Sequence, residues 1–133
     1  MSRQFKVLNL ILVSVLLFST QNISAQAEDK DYNTCLTKVN YKWGAECKGC
    51  TTGGKTYKVW FVNSCDEKLA VKIAVQEEHK RWKTFVRLMV LPKDTISGFA
   101  CAGTGKYLYW TKKSDDNTLD FPSDEKINSE HTK

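Results

Sequence analysis

The chain has 133 residues, with 20 Lys and Arg against 15 Asp and Glu, a formal net charge of +5 and two histidines. That length accommodates one domain with a single modest core and excludes a second. So small a charge, with acids and bases interspersed, gives no basis for nucleic-acid binding, although it favours encounter with anionic groups.

Arg3 and Lys6 precede an apolar run from Val7 to Phe18, broken by Asn9 and Ser14, and the small residues Ser24-Ala25-Gln26-Ala27 follow. This is the layout of a cleavable signal peptide over residues 1–25, with cleavage after Ala25 or after Ala27. The run is shorter than the roughly 20 residues of a spanning helix, and no cysteine follows it to take a lipid, so no stable membrane insertion is expected after cleavage. A secreted or periplasmic location follows. The leader takes Arg3 and Lys6 with it and no acid, which leaves a net charge of +3.

Residues 36–43 alternate weakly, with Leu36, Lys38, Asn40 and Lys42 on one side and Thr37, Val39, Tyr41 and Trp43 on the other, as in an edge strand. Residues 44–54 are small or cysteine and form a loop. A second strand over 56–62 ends at Asn63-Ser64-Cys65-Asp66-Glu67, whose turn formers predict a hairpin with a third strand over 69–75. There Leu69, Val71, Ile73 and Val75 make one buried face. A charged turn over 76–80 leads to residues 82–91, where apolar positions fit both helical and alternating spacing. Thr84, Val86 and Val90 are β-branched and Phe85 is aromatic, which selects strand. Pro92-Lys93-Asp94 ends it. A short strand over 96–101 carries Gly98, which predicts a bulge, and residues 102–105 turn into a last strand over 106–112.

About six short strands at intervals of roughly 8 to 13 residues predict an all-β fold, a small antiparallel sandwich or barrel stapled by disulfides. The expected organisation is a signal peptide, a single all-β domain over residues 28–127, and a disordered tail over 128–133. Leu119, Phe121 and Ile127 are the apolar residues available to dock the chain's last part.

The order Val62-Asn63-Ser64-Cys65, Trp82, Leu91-Pro92-Lys93, Cys101 and Gly105-Lys106-Tyr107 resembles small exported bacterial β-sandwich domains of unknown function. The run Gly105-Lys106-Tyr107-Leu108-Tyr109-Trp110-Thr111-Lys112 also resembles the C-terminal strand of periplasmic lysozyme inhibitors. Those carry Ser-Gly-x-x-Tyr where this chain has Thr104-Gly105-Lys106-Tyr107, so no inhibitory residue is carried over.

Several motifs compete with blander explanations. Gly49-Cys50-Thr51-Thr52-Gly53-Gly54-Lys55-Thr56 matches a phosphate-binding P-loop in letters, but a P-loop needs a helix after it, and here a strand sequence follows. No nucleotide or other cofactor is expected. Cys47-Lys48-Gly49-Cys50 has the spacing of a redox pair, without the strand-to-helix context of thioredoxins, and scattered Cys35, Cys65 and Cys101 give no zinc spacing. In an exported chain structural disulfides are the expectation. If successive strands run antiparallel, alternate connections lie at opposite ends of the sheet, about 20 Å apart, so Cys35 is predicted to pair with Cys65, and Cys101 with Cys47 or Cys50. His79 sits in a charged turn and His131 in the tail, so neither is a positioned base. No catalytic or metal-binding residue is assigned.

The aromatics remain. They exceed what a small core hides, and exposed Trp and Tyr beside polar groups suit contact with a protein or a glycan. The strand faces that hold Trp60 and Trp110 also hold Lys58, Lys106 and Lys112. They are therefore expected to face outward as a basic, aromatic contact surface. The functional expectation is a non-enzymatic binding module. The alternatives are an inhibitor of a secreted enzyme such as a lysozyme, and a thiol-disulfide oxidoreductase using Cys47 and Cys50.

Overall fold

A computed structural model describes residues 30–51 and 53–132, and the predicted signal peptide lies outside them. Six strands form, β1 (Leu36–Trp43), β2 (Tyr57–Asn63), β3 (Leu69–Glu77), β4 (Trp82–Val90), β5 (Thr95–Ala100) and β6 (Gly103–Lys113), followed by helix α1 (Asp124–Glu130). They make two three-stranded antiparallel sheets, ordered β1-β2-β5 and β4-β3-β6. The all-β, disulfide-stapled fold is as read, and residues 82–90 are strand.

The predicted hairpin of the second and third strands does not form. β2 and β3 are the central strands of opposite sheets, and residues 64–68 cross between the layers. Each strand has a strongly apolar face, and these faces meet across the core: Tyr57, Val59 and Phe61 from β2, and Leu69, Val71, Ile73 and Val75 from β3 are all essentially buried. Crossing to the other layer still brings the chain back to the end of the sandwich that a hairpin would reach, so Cys65 lies at the end where Cys35 sits. Cys35 is bonded to Cys65 and Cys50 to Cys101, leaving Cys47 as a free, half-buried thiol.

Gly98 is not a bulge. Its pairing with Val59 lies in unbroken register, and a β-carbon there would come within 3.0 Å of Ile73 Cγ2 and Val75 Cγ2 and 3.1 Å of Phe85 Cδ2. The glycine lets the two sheets close. Gly98→Ala is therefore expected to cost about 1 to 3 kcal/mol through overpacking, read as a lower midpoint in chemical denaturation. An unchanged midpoint would show that these three side chains give way freely.

The register slips instead in β1, between Lys38 and Asn40, and once in each pairing of β3, between Leu69 and Val71 against β4 and between Val75 and Glu77 against β6. Beyond the slip in β1, Tyr41 and Trp43 pair with inward-facing Val59 and Tyr57, so they share a side with Lys38 and no longer with Thr37.

The outer face of β3 is covered as well. Ala70, Lys72, Ala74 and Gln76 are buried, and the cover comes from the C-terminal segment. Ile127 is 1% exposed and packs with Ala74 and Trp82. The Trp82 amide donates to Asn128 Oδ1 at 2.9 Å, and its indole N–H donates to the His131 carbonyl at 3.3 Å. This corrects the disordered tail expected over 128–133 as far as residue 132, residue 133 lying outside the described residues. Through residue 132 the described chain is bonded to the sandwich, because Ser123 caps a short helix that places Ile127 inward.

Candidate functional site

Side chains of β6 alternate between the two faces of its sheet. Tyr107 and Tyr109 point inward, each with its ring centroid 5.3 Å from that of Phe61. Lys106, Leu108, Trp110 and Lys112 therefore face outward. The chain after β6 turns back across this face, and the Lys112 ammonium holds it there by donating to the carbonyls of Asp116, at 2.8 Å, and Leu119. Asp116 steadies the same turn: its carboxylate accepts from the Thr118 hydroxyl and amide, which lowers its pKa.

Between that segment and α1 lies an open cavity of about 420 Å³. Trp110 and Phe121 supply aromatic wall, and Asp120, Lys126, Glu130 and His131 supply polar rim. A smaller recess of about 140 Å³ adjoins it, sharing Trp110 and Phe121 and reaching Asn33 and Thr111. Asn33 Oδ1 accepts from the Thr111 amide at 2.9 Å, which ties the chain before β1 to the free edge of β6. The His131 ring stands 6.2 Å from Trp82 and 6.4 Å from Trp110. Lys126 and Glu130 are 3.9 Å apart and both exposed, so neither is committed to the other.

An indole face stacks on a ring, carboxylates accept hydroxyl protons, and an ammonium donates. Among the described residues no group of three His, Cys, Asp or Glu side chains could hold a metal ion.

The predicted contact residues are outward-facing, but they do not form one surface. Trp60 and Lys58, whose ammonium lies 5.0 Å from the Trp60 ring, are on the outer face of the β1-β2-β5 sheet. Trp110, Lys106 and Lys112 are on the outer face of the other sheet. Strand alternation shows which residues share a face and is silent on which sheet a strand joins. Lys112 is moreover committed to backbone carbonyls, and Asp120 and Glu130 stand with Lys126 around Trp110, so the surface there is of mixed charge and not basic.

Cys50 is bridged to Cys101 and not to Cys47, so the Cys-x-x-Cys pair is not a disulfide. Lys55 is followed by β2 and its ammonium lies 3.2 Å from Glu78, so no helix N-terminus faces the P-loop letters. Residues that the sequence reading left without a role are Asp120, Lys126 and Glu130. Their signal was Ser123-Asp124-Glu125, a helix cap with acids in the first turn.

No known protein family, curated protein or solved structure matches this chain. The two disulfides fit an oxidising compartment, and no helix among the described residues is long and apolar enough to cross a membrane.

Proposed function

We propose that this is an exported, non-enzymatic binding module that holds the end of a glycan against Trp110. The observation that carries the proposal is the cavity of about 420 Å³, walled by Trp110 and Phe121 and rimmed by Asp120, Lys126 and Glu130. Sugar rings present an apolar face and a ring of hydroxyls, and an aromatic wall with mixed donors and acceptors answers both. The charge balance of the rim favours neutral or amino sugars over polyanions. Export is supported by the signal-peptide layout and the disulfides.

Titration with neutral and N-acetylated oligosaccharides, followed by tryptophan fluorescence, tests this reading. Saturable binding is expected, weakened about tenfold or more in Trp110→Ala and unaffected in Trp60→Ala, which lies on the other sheet. Equal loss in both variants, or no saturable binding to any oligosaccharide, would rule out the Trp110 cavity as the site. Because Trp110 also packs beside α1, each variant is compared at matched folded fraction.

A further inference from the structure

The four outermost strand edges of the sandwich are not equally protected. β1 is broken by its bulge, and its Tyr41 amide donates to the Asn40 side chain at 2.8 Å. Along β5, Arg87 donates to the Thr95 carbonyl at 3.4 Å. β6 is covered by Tyr32–Cys35 and by Asn33 on the Thr111 amide. These are devices that blunt an edge against further pairing.

β4 has a bulge of its own, its register with β3 slipping between Arg87 and Val90, but α1 stops at Thr84 and the half of the strand beyond is largely apolar. Val86 is 53% exposed, Leu88 69%, Met89 58% and Leu91, just beyond the strand, 42%. α1 reaches Trp82 and Thr84 but leaves these residues bare. Large apolar side chains clustered on a free edge mark an interaction site.

Charge decides what covers it. Between Glu78 and Asp94 the chain holds Lys80, Arg81, Lys83, Arg87 and Lys93 and no acid. Lys83 lies 3.9 Å from the Phe99 ring centroid and Arg87 meets a carbonyl, and among the described residues neither has a carboxylate within 4.0 Å. Of the acids on neighbouring elements, Asp124 is engaged by Lys72 and Thr84, and Asp94 accepts from the Leu91 amide. We propose that the free edge of β4 docks an extended segment of a partner protein in which acidic residues alternate with apolar ones, paired to β4 as an added strand.

A second copy of this chain is a poorer occupant, since antiparallel self-pairing would set the cations of one β4 against those of the other. An anionic membrane is poorer too, because lipid offers no strand to pair with the backbone of β4. The acidic segment satisfies all three features together: open backbone, apolar side chains and unpaired cations.

The probe is a synthetic peptide of alternating glutamate and valine, compared with its lysine counterpart and with a backbone N-methylated analogue that cannot complete the ladder. With the intact exported chain, the acidic peptide is expected to bind, to slow amide exchange in β4, and to lose affinity about tenfold or more between low and high salt. The lysine and N-methylated peptides are expected not to bind. Lys83→Glu with Arg87→Glu is expected to reverse the preference between the charged peptides, with a thermal melt confirming the fold. Comparable binding of all three peptides, no binding at all, or protection elsewhere than β4 would overturn the proposal. So would concentration-dependent dimerisation through β4, or uptake onto phosphatidylglycerol vesicles lost in Leu88→Ser.

Discussion

Asn63→Ala is expected to destabilise the fold by about 4 kcal/mol, far more than the loss of one small side chain would suggest. Asn63 is fully buried at the end of β2, where the chain leaves one sheet for the other. Its Nδ2 donates to the carbonyls of Glu67 at 2.7 Å and Val90 at 3.1 Å, and its Oδ1 accepts from the Cys65 amide at 3.0 Å. Its backbone amide and carbonyl are bonded to Asp94 and Lys93, so the one residue joins the crossover to the β4–β5 turn. Alanine would leave two carbonyls and an amide short of partners, each costing about 1 to 3 kcal/mol where water cannot reach it. Asn63→Asp separates this account from simple packing. It keeps the shape and the acceptor for Cys65 but points a carboxylate at two carbonyl oxygens, so its destabilisation is expected to grow as the pH rises and the carboxylate ionises. Urea denaturation of both variants at low and neutral pH is the measurement. A cost below about 1 kcal/mol for Asn63→Ala would mean that water replaces the side chain.

The same residue shows what the sequence discloses. Asn63-Ser64-Cys65 reads as a turn, and it is one, but the turn passes from layer to layer where turn formers alone predicted a hairpin. Alternation placed the strands that set one face against the core, as with Leu69, Val71, Ile73 and Val75, and it was weak in β1, where every residue but Leu36 is exposed. It could not show the slip at Lys38, since Lys38-Val39-Asn40-Tyr41 alternates whether or not a residue is extra. Tyr41 and Trp43, about half exposed on the inner side of β1, follow from that slip. Disulfide pairing was legible because it depends only on the end of the sandwich each connection occupies. The candidate cavity was not, because it lies between β6 and a segment that reads as polar. Its sequence signs were the helix cap Ser123-Asp124-Glu125 and the small residues Ala70 and Ala74 on either side of Lys72 on the outer face of β3, which leave room for something laid over them.

Lys72 leads to the last expected result, which concerns that overlying segment. Its side chain is 8% exposed in the middle of β3 and donates to the Pro122 carbonyl at 2.8 Å and to Asp124 Oδ1 at 2.6 Å. Asp124 also accepts from the Thr84 hydroxyl at 2.9 Å. The bond from Lys72, followed by that from Thr84, holds the Asp124 carboxyl below its ordinary value of 3.8. A depressed carboxylate pKa adds stability that is fully present above 3.8 and is lost as the pH falls through the lower folded value. Acid is therefore expected to loosen α1 and open the Trp110 cavity below about pH 4, seen as faster amide exchange at Asn128 and His131 before β3 exchanges. Asp124→Ala produces the same state at neutral pH. It leaves a buried ammonium with one carbonyl partner, and because Asp124 itself is 59% exposed the cost is expected near 2 kcal/mol, below that of breaking a fully buried pair. Lys72→Met combined with Asp124→Ala removes both charges from the site and is expected to recover most of that loss, since an apolar side chain under Pro122 needs no partner. If the double variant is no more stable than Asp124→Ala, the buried charge is not what the carboxylate answers, and α1 is held by Ile127 and Trp82 alone.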